Sequence, residues 1–176
     1  MTKLLSTEQM AEFANSGCLF FEGFIDEDIN KEFLNDIGHT NIDDVDNIQH
    51  YFQNIKSSSS IPRIPAGTAL KDAYPLNSPL EKIFKNEIVS GAINSLVGSK
   101  TVVDHQFLHL TFPSKYYAKA NQRQMSQVNH QDSTIDPRTT FDIQLFYFPT
   151  AVTKEMGGTR YIPVSYTHLR AHETET

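Results

Sequence analysis

Apolar residues in the first hundred positions recur at helical spacing, and polar residues mark where the helices begin. Ser6 and Gln9 form a capping box, and Met10 and Phe13 follow on one helical face. Gly17 suits the left-handed residue that ends a helix. We therefore predict a first helix between Ser6 and Gly17.

A second helix is predicted after Asp26, whose carboxylate can cap the first turn. Ile29, Phe33 and Ile37 then lie on one stripe, and Gly38 ends the pattern. Such a stripe indicates a helix that packs one face against a core.

The strongest helix start in the chain is at Ser78. A serine cap is followed by Pro79 at the first helical position and by Glu81 at the third. We predict a helix that runs towards Gly98, with a break near Gly91.

Other segments are rich in aromatic or β-branched residues and are bounded by glycine or turn residues, which favours strands. The predicted strands are residues 18–24, 101–112, 125–132, 141–148 and 159–164. Residues 41–67 show no clear pattern, and within them residues 57–67 are predicted to be a flexible, proline-punctuated connection. A helical front half and a strand-rich back half predict a single α+β domain, with helices packed on an antiparallel sandwich or barrel.

Composition narrows the class of protein. The chain has 176 residues and a net charge of −6, which disfavours nucleic-acid binding. It has no apolar run long enough to span a membrane and no secretory signal pattern at its start. Its one cysteine excludes an internal disulfide and fits a reducing cytoplasmic setting.

The segment Asn129-His130-Gln131-Asp132 carries the candidate chemistry. On a strand, alternate side chains share one face about 6.6 Å apart, so His130 and Asp132 could approach one metal ion together. Two histidines and a carboxylate on one side of iron(II) leave positions open for a cosubstrate and oxygen. The alternative is a strand end where His130 and Asp132 only hydrogen-bond to neighbours.

Four segments in this order resemble the phytanoyl-CoA dioxygenase family of iron(II)/2-oxoglutarate oxygenases. They are residues 12–19, the motif His130-Gln131-Asp132, residues 141–148, and Gly157-Gly158-Thr159-Arg160-Tyr161-Ile162-Pro163. The resemblance covers roughly residues 6–163, and residues 41–98 match least.

The resemblance implies a jelly-roll (double-stranded β-helix, cupin-like) core behind the N-terminal helices. It implies that His130 and Asp132 bind Fe(II), that 2-oxoglutarate chelates the metal, and that O2 oxidises a small-molecule substrate. It places Phe148 beside the 2-oxoglutarate pocket, and the alternative for Phe148 is an ordinary core position. The carboxylate at Asp132 favours hydroxylation over halogenation.

The chain departs from the family pattern after Pro163. The family's third metal-binding histidine would fall at Tyr166, but the nearest histidine is His168, two residues later. Arg170 stands too close to His168 for the arginine that grips 2-oxoglutarate in the family. We therefore expect residues 1–163 to be a partial, C-terminally incomplete oxygenase domain with little or no turnover in this form, and residues 164–176 to be a non-native tail.

Two further histidines, His105 and His109, lie four positions apart. On a strand they would be about 13 Å apart, too far to share a metal, and Asp104 would point to the opposite face from His105. We expect His105 to be an outer-shell group of the site or a partly buried strand residue. The second function hypothesis for the whole chain is a non-catalytic β-sandwich binding module without a competent metal site.

Overall fold

The computed structural model describes residues 3–41, 48–55, 61–110, 112, 142–153, 156, 158–159 and 161. Five helices lie in this part of the chain: α1 (Thr7–Ser16), α2 (Glu27–Asp36), α3 (Ile48–Asn54), α4 (Pro79–Lys85) and α5 (Glu87–Leu96). Two short strands, β1 (Thr68–Ala69) and β2 (Val102–Val103), flank the last two helices in sequence. A 3-10 turn, Leu70–Asp72, follows β1.

The first helix begins and ends where its caps predict. The Ser6 hydroxyl accepts from the Gln9 N–H, and the Gln9 side chain accepts from the Ser6 N–H. Gly17 closes the helix at φ 76°, where its N–H donates to the Phe13 carbonyl at 2.7 Å. No residue of α1 is buried, so its apolar face lies outside the buried core.

The second helix also confirms its predicted cap and stripe. Asp26 accepts from the Asp28 N–H at 3.0 Å. Phe33 and Ile37 are buried, and Ile29 packs partly buried against the main core. Gly38 follows at φ 77°, as expected for a residue that ends a helix.

The predicted long helix after Ser78 is two helices, and the break lies at Asn86 instead of near Gly91. The Ser78 cap and Pro79 at the first turn are confirmed. Asn86 leaves the helical region at ψ 135° because its side chain caps α5, accepting from the N–H groups of Ile88 and Val89. Gly91 lies inside α5.

Gly91 allows the N-terminal segment to lie directly on α5. A Cβ at this position would overlap the carbonyl of Lys3. The segment is held by hydrogen bonds from the Lys3 N–H to the Glu87 carbonyl at 3.1 Å and from the Leu5 N–H to the Ser95 hydroxyl at 3.0 Å. The glycine is therefore a site of close backbone packing.

The main core lies where α4 and α5 meet. Ile83, Val89 and Ile93 form its buried centre, and Ile83 is only 2% exposed. Burying such a side chain contributes about 1.5–3 kcal/mol. Around them pack the following partly buried residues: Phe24, Ile25, Ile29, Leu70, Leu80, Phe84, Val97, Ile143 and Tyr147.

The two strands form one antiparallel pair, with Thr68 opposite Val103 and Ala69 opposite Val102. The structure assigns no strand to residues 18–24 or 142–148, so the strand predictions for these residues are not confirmed. Residues 104–110 are also not assigned as strand, although 106, 108 and 110 are more buried than 105, 107 and 109. The predicted strand at residues 125–132 lies outside the described residues, and the jelly-roll architecture stays a prediction.

A smaller aromatic cluster is formed by His39, Tyr51 and Phe112. The Tyr51 ring, on α3, meets the Phe112 ring edge-on at 5.3 Å, and both are nearly fully buried. The Tyr51 hydroxyl shares a 2.7 Å hydrogen bond with Nδ1 of His39, which follows α2. This cluster ties α2 and α3 to Phe112.

The close packing at Gly91 predicts that the effect of Gly91→Ala on stability changes sign when residues 1–4 are removed. Gly91→Ala should destabilise the chain by about 1–3 kcal/mol, because the new methyl group displaces the Lys3 backbone. In a chain lacking residues 1–4 the same change should stabilise by about 0.5–1 kcal/mol, because alanine favours helix over glycine. Urea unfolding of the four variants measures both effects, and destabilisation of equal size in both backgrounds would contradict the packing role.

Candidate functional site

The predicted metal ligands His130, Asp132 and His168 lie outside the described residues. Their arrangement around a metal therefore stays a prediction. Within the residues that the structure does describe, no three side chains of histidine, cysteine, aspartate or glutamate are grouped as a metal site.

Phe148, the predicted neighbour of 2-oxoglutarate, is described and is 50% exposed. Its ring lies parallel to that of Phe146, with centroids 6.4 Å apart and an interplanar angle of 7°. That distance is close to the rise of two residues in an extended chain, about 6.6 Å. The two rings therefore lie on the same side of the segment, and Phe148 is not packed into the core of the described residues.

The other side of the same segment faces the helices. Ile143 packs against the main core, and Tyr147 meets Phe33 of α2 edge-on at 5.2 Å. The Tyr147 hydroxyl donates to the Asn30 side-chain oxygen at 2.6 Å. Burial raises the pKa of Tyr147 to about 12, so its hydroxyl stays protonated and can donate at any physiological pH.

The histidines at 105 and 109 differ from their predicted environment. His105 is exposed, and its Nδ1 lies 2.7 Å from the carboxylate of Asp104, the residue that a strand would have turned away. The Phe107 ring stacks on His105 at 5.8 Å and meets His109 at 6.1 Å. Asp104 can approach because residues 104–110 are not held in a regular strand, and the prediction of a partly buried His105 is wrong.

The Gln106 side chain hydrogen-bonds to two residues that are far from it in sequence. Its amide nitrogen donates to the Pro62 carbonyl at 2.7 Å, and its amide oxygen accepts from the Tyr74 hydroxyl at 2.8 Å. Tyr74 stacks on Phe84 at 4.9 Å, and burial raises the pKa of Tyr74 to about 12. The two Gln106 hydrogen bonds hold residues 101–110 against the residues that precede α4.

Two local features lie outside the candidate site. The N–H groups of Met156 and Gly158 both donate to the Thr153 carbonyl and form a turn before residue 159. Cys18 does not lie in a strand, and burial and the nearby Glu12 raise the pKa of its thiol, which disfavours the reactive thiolate.

Comparison with known proteins returned no match: no protein-family profile, no curated protein and no solved structure is significantly similar to the chain. The helices within the described ranges are all too short or too polar to cross a membrane.

Sequence reasoning missed the contact between Asn30 and Tyr147. Asn30 lies one position from the apolar stripe of α2, so the sequence pattern gives it no role. The available signal was the alternation of Ile143, Leu145 and Tyr147, which places the tyrosine on the face that packs against the helices. Nothing in the local sequence names Asn30 as its partner, because the two residues are 117 positions apart.

The raised pKa values predict a loss of stability in alkali. Tyr74 and Tyr147 ionise near pH 12 in the folded chain but near their ordinary value of 10 when unfolded. Their contribution is therefore complete below pH 10 and is lost as the pH rises from 10 to about 12. Phenolate absorbance should show a late phase, and Tyr147→Phe should remove one phenolate from it; an unchanged late phase in that variant would contradict the burial of Tyr147.

Proposed function

We propose that the chain is an iron(II)- and 2-oxoglutarate-dependent oxygenase domain that hydroxylates a small organic substrate. The observation that carries the proposal is the order of His130-Gln131-Asp132 and the segment 142–148 that follows it. Support from the described residues comes from the second part: residues 142–148 turn one side to the helices and leave Phe146 and Phe148 on the other.

The donor set suits iron(II). Imidazole and carboxylate groups are suitable ligands for iron(II). Structural zinc sites and iron–sulfur clusters usually use cysteine thiolates, and the motif has no cysteine. When bound, iron and 2-oxoglutarate would supply the oxidising chemistry, coupling decarboxylation of 2-oxoglutarate to oxidation of a substrate C–H bond. The chain would contribute His130 and Asp132 as ligands and an apolar wall that limits water.

Phe148 is the described residue that would belong to that wall. Half of its surface is open and its neighbour Phe146 is 55% exposed, so the two rings present an apolar surface on the side away from α2. An apolar surface beside the chelating end of 2-oxoglutarate would exclude water from the reacting atoms.

The chain has no histidine at position 166, where the family pattern places the third metal ligand. His168 keeps the strand parity of the family position at Tyr166 but lies about 6.6 Å further along an extended chain. This offset favours the second candidate, a binding module without a complete metal site. The two candidates differ in iron affinity and in the release of succinate.

Titration with iron(II) under anaerobic conditions tests the ligand assignment. His130→Ala and Asp132→Ala should each weaken iron binding by at least about tenfold, because each removes a donor atom. His109→Ala is the matched control, since His109 is exposed and lies outside the motif, and its affinity should equal that of the parent chain.

Succinate release from 2-oxoglutarate then separates the two candidates. Release that His130→Ala abolishes supports the oxygenase, and loss of that release in His168→Ala would assign the third ligand. Iron binding without release supports the binding module. Unchanged iron affinity in a His130→Ala/Asp132→Ala double variant would refute the site.

A further inference from the structure

Residues 142–148 contact the helical layer at two places of different kind. Ile143 makes an apolar contact with the core around Ile83. Tyr147 packs edge-on against Phe33 and donates a 2.6 Å hydrogen bond to the Asn30 side chain. The first contact depends on shape and hydrophobicity, whereas the second depends on one donor that meets one acceptor.

Apolar packing alone settles only which side of the segment faces the helices. In an extended chain a shift of one residue exchanges the two faces and would turn Gln144 and Phe146 towards the core. In a regular extended chain a shift of two residues keeps the same face, because positions 143, 145 and 147 alternate with 144 and 146. Leu145 is 43% exposed in the present register and does not pack on the main core, but it is apolar, so it could take the inward place of Tyr147.

The hydrogen bond distinguishes the registers that hydrophobic packing leaves equivalent. After a shift of two residues, Leu145 would stand where Tyr147 now meets α2, and Asn30 would lose its partner. No other residue in 142–148 carries a hydroxyl group. An amide that is left without a partner on a partly buried surface is costly, so the shifted register is disfavoured.

We propose that Asn30 and Tyr147 are positioning residues that lock the register of residues 142–148 and thereby set where Phe148 lies. The inference rests on the proposed function in one respect, which is that Phe148 borders the 2-oxoglutarate pocket. The two residues touch neither metal nor cosubstrate; they act through the backbone that joins Tyr147 to Phe148. The helical layer would thus determine the position of one wall of the site.

The decisive variant replaces both partners with apolar residues. Asn30→Leu/Tyr147→Phe leaves no unsatisfied polar group, so its thermal midpoint should match that of the parent chain more closely than either single variant does. Its register should nevertheless be mixed. NMR should show contacts from the Phe33 ring to both Leu145 and residue 147, where the parent chain shows contacts to Tyr147 alone.

Tyr161→Phe is the matched control, since it removes the hydroxyl of a half-exposed tyrosine that packs on Phe20 and leaves the 142–148 segment unchanged. Its Phe33 contacts should be those of the parent chain. A double variant that keeps a single register, with Phe33 contacting residue 147 only, would overturn the proposal, because packing alone would then suffice.

The functional part is measured as the affinity for 2-oxoglutarate of the iron(II)-loaded chain, by calorimetry without oxygen. The double variant should bind 2-oxoglutarate about tenfold more weakly, the change expected from one lost contact, while its iron affinity stays constant. Mixed register with unchanged 2-oxoglutarate affinity would overturn the role of Phe148. If the parent chain itself does not bind 2-oxoglutarate, the proposed function fails, and the NMR result still decides whether the register lock exists.

Discussion

The contact of residues 142–148 with the helical core is the constraint on which the rest of the arrangement depends. Ile143 and Tyr147 pack around the buried centre formed by Ile83, Val89 and Ile93. Because the two parts are far apart in sequence, this contact links the helical front half to the segment that follows the proposed metal motif. It also decides that Phe146 and Phe148 lie on the side away from α2.

The helices α1, α2, α4 and α5 fall where the sequence predicts helix, because their signals are local, whereas α3 lies in residues 41–67, where the sequence predicts no helix. Ser6, Asp26 and Ser78 cap the helices that they were expected to cap, since each side chain needs only an N–H two or three residues ahead. The low helix propensity of glycine predicts a break near Gly91, but the break lies at Asn86, whose side chain caps α5. Gly91 stays helical, and the distant Lys3 backbone occupies the space that a Cβ would fill.

The strands were harder because a strand is defined by a partner elsewhere in the chain. Residues 101–112 are rich in β-branched and aromatic residues, and 105–110 alternate in burial, but 104–110 have no assigned strand partner. The same limit applies to the site. The proposed metal-binding role of His130 and Asp132 can be inferred from their spacing in the sequence. The third ligand and the Asn30–Tyr147 hydrogen bond depend on contacts that local spacing does not encode.

The most direct test of the account is where a divalent metal binds. Mn²⁺ broadens the NMR signals of nearby nuclei, so a titration of the ¹⁵N-labelled chain reports the site without requiring turnover. The account predicts that amide signals of residues 129–133 broaden first, followed by that of Phe148. Broadening confined to surface acids such as Glu27 and Asp28, with the 129–133 signals unaffected, would contradict it.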